Sequence, residues 1–378
     1  MPANQVPWFV SAIASSALIT WVFGRLLKLS SFQDHPNDRS LHQVTTPKIG
    51  GFAIFVSVVS LSLIHLTWDV AAPDRDDGAA NTMLRFWLLM STLVFVVCVA
   101  NDRARRDLPP LLRMCLFSLA CAVFVWKLSI EFPRTLIHFE SLEAEIKNWI
   151  SPKWPVLIFA VVSILAFTNF FNFMDGIDGL AGSMGVIGFS CMGAIAQSSN
   201  PALGYTTSSA CFTIAAASMG FLFFNWPKAS VFMGDTGSTF LGFSAMTIGW
   251  LGSAQGLWHW TIPFIIFFPF WFDASSTLVF RIIQRKKIWQ AHREHIYQRA
   301  ILSLGKDSRR HPHLRVLLPG IALMLISSSV ALYVSLGSFR ATPLSICLAI
   351  LVLALIHTVI AWAVHRHQNA MFDSLESK

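Results

Sequence analysis

Residues 169–182 read NFFNFMDGIDGLAG, and the fold turns on how this stretch joins the apolar run before it to the one after it. Asn169, Asn172, Asp175 and Asp178 recur every third residue, a spacing that in helical geometry crowds them toward one side of a span's end. Carboxylates in or beside a membrane span are costly, and those that occur usually face a water-filled cavity. Gly176, Gly179 and Gly182 let the backbone turn and approach a ligand closely. The plainer reading is a polar turn that caps the next helix, and the stretch by itself does not separate the two.

Composition decides the solvent. The 378-residue chain is 54% hydrophobic and 13% charged, with a mean hydropathy of +0.57, more apolar surface than a soluble domain can cover. The expected fold is therefore all-α, a polytopic integral membrane protein forming one transmembrane domain over residues 1–378. Runs long enough to span, roughly 20 residues each, lie at 7–27, 49–68, 83–100, 111–130, 154–171, 178–197, 204–225, 238–256, 258–280, 314–337 and 342–364. That gives about eleven transmembrane helices by hydropathy. The runs at 178–197 and 238–256 are rich in Gly and Ser, which suits close packing inside the bundle. Residues 1–8 carry no Lys or Arg, so the first run reads as a true span and not as a cleavable signal peptide. Trp8, Trp68, Trp126, Trp154, Trp226, Trp258 and Trp260 lie near span ends, where interfacial anchors belong. Cys98, Cys115, Cys121, Cys191, Cys211 and Cys347 fall inside apolar runs without metal-type spacing and read as small packing residues.

Basic residues orient the bundle. With the N-terminus outside and the C-terminus in the cytoplasm, 21 of the 28 Lys and Arg fall on the cytoplasmic side, as the positive-inside rule requires. Ten of them cluster between Arg281 and Arg315. The motif-like stretches then all lie on that face: loops 34–51 (DHPNDRSLHQVTTPKIGG), 100–113, 169–182, 228–242 (KASVFMGDTGSTFLG) and 281–315, which contains HREHIYQR at 292–299. Outside loops 69–82 and 131–153 carry acidic residues without a compact motif and read as solvated connections.

Carboxylates and amide oxygens from separate loops, without thiolates, suit a hard cation, and a site with one or two protein carboxylates suits magnesium bridging substrate phosphates. Surrounding Arg and Lys suit phosphate oxygens. His292, His295 and Arg299 fall at i, i+3 and i+7, one face of a helix. Zinc would need a further soft or imidazole ligand that the segment lacks. The alternatives for the basic segment are a solvated helix, an anionic-lipid patch, and a helix that recognises phosphate or nucleotide.

The motifs PNDRSLHQVTTPKIGG, NFFNFMDGIDGLAG, VFMGDTGSTFLGF and HREHIYQR, in this order, resemble the polyprenyl-phosphate N-acetylhexosamine-1-phosphate transferases. That family includes the phospho-N-acetylmuramoyl-pentapeptide transferase and the initiators of bacterial O-antigen and common-antigen synthesis; the forms here look closest to the initiator branch. The resemblance spans about residues 34–299. It implies transfer of an N-acetylhexosamine 1-phosphate from a UDP-sugar to undecaprenyl phosphate, with release of UMP, at the cytoplasmic face of the bacterial inner membrane. By the same resemblance, Asp102, Asp175, Asp178 and Asp235 are the catalytic candidates. Asp235 and Asn172 are expected to hold Mg2+, for which Mn2+ can substitute. Asn37, Arg39, His42, Asn101, Asn169, Asn172, His292, Arg293, His295 and Arg299 are expected around the substrates. Membrane lipids are expected partners, nucleic acid is not, and a homodimer is compatible with the apolar exterior.

The family's pair of adjacent aspartates after the third span reads Asn101-Asp102 here. A phosphomonoester has a second pKa near about 6, so the lipid phosphate is already largely dianionic at pH 7 and hardly needs a general base. Asn101 and Asp102 are accordingly expected to position it for one direct attack, which a trapped covalent phospho-enzyme would rule out. A transporter with an acidic cation site is the reading from another class. The carboxylates lie at span ends and not at the midplane, and the halves show no obvious inverted repeat. A CDP-alcohol phosphotransferase would need a long aspartate signature on one helix, which is absent.

Overall fold

The computed structural model describes residues 6–26, 33–34, 45–69, 78–103, 108–133, 153–287, 290, 292–304, 312–337 and 342–376. The element order is α1 (Val6–Leu26), β1 (Gln33–Asp34), β2 (Thr46–Pro47), α2 (Gly50–Asp69), α3 (Gly78–Arg103), α4 (Pro110–Glu131), α5 (Lys153–Met174), α6 (Leu180–Ser199), α7 (Tyr205–Asn225), α8 (Gly234–Ala254), α9 (Ile262–Ile266), α10 (Phe268–Ile283), α11 (Ile296–Ser303), α12 (Pro312–Leu336) and α13 (Pro343–Glu376). Among the described residues, nine helices are long and apolar enough to cross a membrane: α1 to α7, α12 and α13. Twenty helical residues rise about 30 Å, the thickness of the hydrocarbon layer.

Each apolar run of the sequence falls on a helix, but two do so in unexpected form. The run at 238–256 becomes α8, which starts at Gly234, and 18 of its 21 residues are buried, as its Gly, Ser and Thr content suits. The run at 258–280 is split at Phe267 into short α9 and longer α10, with a proline in the first turn of each piece. Proline is tolerated there because the first turn's amides have no intrahelical acceptor. Trp258 departs from its expected role as an anchor: it is buried, and its indole Nε1 donates to the Gly249 carbonyl at 2.8 Å.

Burial sorts inner from outer helices. In α6 and α7, 72% of the apolar window is covered by protein, against 17% in α1 and 22% in α13, so the former form the centre and the latter face lipid. Aromatic rings hold α5 to the broken helix: Phe171 lies 4.9 Å from Phe270 and 5.5 Å from Phe267, centroid to centroid. Pairs at such separations contribute roughly 0.5–1.5 kcal/mol beyond their buried area.

Two glycines bring the first motif loop onto the fourth. A Cβ on Gly51 would lie 2.2 Å from the Gly237 backbone nitrogen, so α2 and α8 touch backbone to backbone at their starts. The contact is sealed by the Gly50 and Gly51 amides donating to the Phe232 and Met233 carbonyls at 3.0 and 2.9 Å, and by the Phe232 amide donating to Pro47 at 2.8 Å. β1 and β2 pair antiparallel just before this point.

Candidate active site

The helix beginning at residue 153 ends at Met174, so only Asn169 and Asn172 of the four evenly spaced polar residues are helical. Asp175 and Asp178 lie in the turn that follows, and Gly179, at φ 81°, starts α6 from a left-handed conformation that suits glycine. This corrects the expectation of one helical face: the turn redirects the chain and aims the carboxylates into a cavity.

That cavity is polar, about 230 Å³ in volume, and lined by Asp34, Lys48, Asn172, Asp175, Gly176, Ile177, Asp178, Asn225, Phe232, Met233, Gly234, Asp235, Gln298 and His313. Four of the five motif stretches, 34–51, 169–182, 228–242 and 281–315, meet there. The Asn172 Nδ2 donates to Asp235 Oδ1 at 3.0 Å and to Ser238 Oγ at 3.2 Å. The Arg113 guanidinium, from the first turn of α4, donates to the other Asp235 oxygen at 3.2 Å. Asp178 is buried, accepts the Ala229 amide at 3.1 Å, and lies 3.1 Å from His313 Nδ1. Asn225 braces the turn by accepting the Gly179 amide at 2.9 Å while donating to the Val231 carbonyl at 2.9 Å.

Burial first, and like charge second, set the electrostatics of the cavity. Burial, together with Asp235, Asp178 and Asp34, pushes the Asp175 carboxyl up to about 8. A site that holds a carboxylate proton at neutral pH is short of positive charge. Among the described residues no three His, Cys, Asp or Glu side chains form a cage for an ion. The oxygen donors of Asp235, Asn172 and Asp175 suit a hard cation that completes its shell with substrate phosphates and water.

The remaining expected residues are placed differently. Asn169 donates from its amide to the Leu165 carbonyl of its own helix at 2.8 Å. Asn101 is buried, and its Oδ1 accepts the Leu108 amide at 2.9 Å, bracing the turn into α4. Asn37, Arg39 and His42 lie outside the described residues, as does the side chain of Asp102.

The HREHIYQR segment is not one helical face. α11 starts only at Ile296, because His295 is extended at φ −60°, ψ 147°, so His292 and His295 precede the helix. Neither of them, nor Arg293 or Arg299, is among the residues lining the polar cavity; Gln298 is the residue of this segment that reaches it. His295 is buried, with Nδ1 3.4 Å from Asp273, and Arg299 lies 2.6 Å from His365 Nδ1 on α13. Burial, with His295 and Arg281 nearby, pushes the His292 imidazole down to about 4, so it is neutral at pH 7. Tyr297 reaches back to donate its hydroxyl to the Phe173 carbonyl at 2.8 Å.

Arg113, Gln298 and His313 were not singled out in the sequence. Arg113 and His313 lie at the far ends of the stretches 100–113 and 281–315, outside the quoted motifs, and Gln298 carries neither charge nor metal-ligand chemistry to mark it. The available signal was position alone, since each lies within or beside a stretch expected on the cytoplasmic face.

Residues 84–253 match the family model described as Glycosyl transferase family 4, a region that contains Asp102, Asn172, Asp175, Asp178 and Asp235. The chain is 27% identical over 303 residues, 80% of this chain and 78% of the relative, to a Bacillus subtilis (strain 168) protein named "Probable undecaprenyl-phosphate N-acetylglucosaminyl 1-phosphate transferase". It is 28% identical over 265 residues, 67% of this chain and 66% of the relative, to a "Phospho-N-acetylmuramoyl-pentapeptide-transferase" of Picosynechococcus sp. (strain ATCC 27264 / PCC 7002 / PR-6).

Proposed function

We propose, from the match of residues 84–253 to the model of glycosyl transferase family 4, that this chain is a member of that family and transfers an N-acetylhexosamine 1-phosphate from a UDP-sugar to undecaprenyl phosphate. The products are the undecaprenyl-diphospho-sugar and UMP, and the step initiates synthesis of a cell-surface glycan. One observation carries the reading: the oxygen-rich cavity that gathers Asn172, Asp175, Asp178 and Asp235 from separate segments at the ends of membrane helices. The names of the two relatives support the acceptor and the donor class.

In this reaction a lipid-phosphate oxygen attacks the sugar-linked phosphorus of the donor. One P–O bond forms there as the P–O bond to the UMP oxygen breaks. Both reactants are anions, so the first task of the site is to bring them together against repulsion. Arg113 and Lys48 supply fixed positive charge at the cavity. Asp235 and Asn172 would hold Mg2+; as a ligand Asn172 would present Oδ1, the other end of the amide now turned to Asp235. When bound, the ion neutralises phosphate oxygens and the charge that develops on the leaving group. His292, neutral at pH 7, would act by hydrogen bonding and not by charge.

On this reading the chain would lie in the bacterial cytoplasmic membrane with about eleven spans, its N-terminus outside and the cavity opening to the cytoplasm, an orientation supported by the Lys and Arg distribution. Membrane preparations supplied with UDP-GlcNAc, polyprenyl phosphate and Mg2+ test the reading. UMP release is expected only when all three are present, and Asp235→Asn should lower it about 100-fold or more, as loss of a group that stabilises transition-state charge does. Full activity in that variant would refute the metal assignment, and no UMP from any UDP-N-acetylhexosamine would refute the reaction.

A further inference from the structure

α10 carries a buried carboxylate deep in apolar surroundings. Asp273 is 4% exposed, and burying a carboxylate there is costly unless its oxygens are well supplied with donors. They are: Oδ1 accepts the Ile296 amide at 2.9 Å and the Thr277 hydroxyl at 3.3 Å, and Oδ2 accepts the Tyr297 amide at 3.3 Å. Ile296 and Tyr297 are the first two residues of α11. The leading amides of a helix have no intrahelical acceptor, and the N-terminus favours negative charge. Asp273 therefore caps α11 from a different helix, with His295 at 3.4 Å beside the same oxygen.

The same face of α10 holds the approach to α11. Eight residues beyond Asp273, buried Arg281 pairs with Glu294 at 2.9 Å and donates to the Lys287 carbonyl at 2.8 Å. Glu294 also pairs with Lys286 at 2.9 Å. Asp273, Thr277 and Arg281 recur at i, i+4 and i+8, one stripe of a helix, so a single rigid element fixes both the start of α11 and the loop before it.

We infer that Asp273 is a positioning residue for the transferase reaction, setting the place and register of α11 and thereby the side chain of Gln298 in the polar cavity. The inference rests on that cavity being the active site. α11 also has a local capping box, in which the His295 amide donates to Gln298 Oε1 at 3.3 Å; that cap fixes the first turn internally, and the carboxylate supplied from a membrane helix couples the turn to the bundle.

The test uses the full-length protein in membranes, with Asp273→Ala and the nearly isosteric Asp273→Asn. Amide exchange read by mass spectrometry should rise in peptides covering 292–304 and stay unchanged in α5 to α8, more in Asp273→Ala than in Asp273→Asn, which keeps one acceptor oxygen. Turnover measured as UMP release should fall in the same order, on the order of 100-fold for Asp273→Ala, as expected when a reacting geometry is displaced by about 1 Å, with KM for polyprenyl phosphate unchanged. Unaltered exchange at 292–304, exchange raised equally through α5 to α8, or wild-type turnover in Asp273→Ala would each overturn the inference. If the wild-type protein releases no UMP, the functional reading falls, and the exchange data still decide whether Asp273 sets α11.

Discussion

Asp175 is the residue at which the cavity's need for positive charge can be measured. Its carboxyl is pushed up to about 8 by burial and by three neighbouring aspartates, whereas in the unfolded chain it returns to the ordinary carboxylate range. Between about pH 4 and 8 the folded protein holds a proton that the unfolded chain does not, so stability falls as pH rises through that window. Thermal unfolding of the chelator-treated protein should show this loss, and Asp175→Asn should flatten the pH slope. An unchanged slope in the variant would remove Asp175 as its origin. At this scale the sequence was informative where chemistry was out of place, since Asn172, Asp175 and Asp235 are polar groups beside apolar runs. It was silent on Arg113 and His313, whose roles follow from approach in space, 122 residues from Arg113 to Asp235 and 135 from Asp178 to His313.

Elements were legible wherever a single period ruled. Long apolar runs gave helices at the expected places, because twenty residues without charge have one way to satisfy their backbone in lipid. What hydropathy could not resolve was the break at Phe267, the burial of Trp258, and the start of α11, each set by tertiary contacts. The Gly51–Gly237 approach is one such contact and yields a sharp expectation. Gly51→Ala places a methyl group against a backbone nitrogen that has no rotamer to yield, so it should destabilise the protein by about 1–3 kcal/mol and separate the 34–51 and 228–242 loops. Gly78→Ala, with no atom within 4 Å of the added carbon, serves as the control. Equal melting temperatures for the two variants would contradict the packing of α2 on α8.

For the molecule as a whole, motifs far apart in sequence converge because centrally buried α6, α7 and α8 bring their ends to one level, where α4, α5 and α12 add Arg113, Asn172 and His313. Fold class and much of this convergence were readable from charge placement. The division of labour inside the HREHIYQR segment was not, since it depends on Asp273 holding α11 so that Gln298 and not the histidines lines the cavity. The central claim concerns which bond breaks, and isotopic tracing reads this directly. With UDP-GlcNAc labelled at the phosphate attached to the sugar, incubation with polyprenyl phosphate and Mg2+ should move the label into the lipid fraction and release unlabelled UMP. Label retained in a released UDP would show transfer of the sugar alone and contradict the reading of this cavity as a sugar 1-phosphate transfer site.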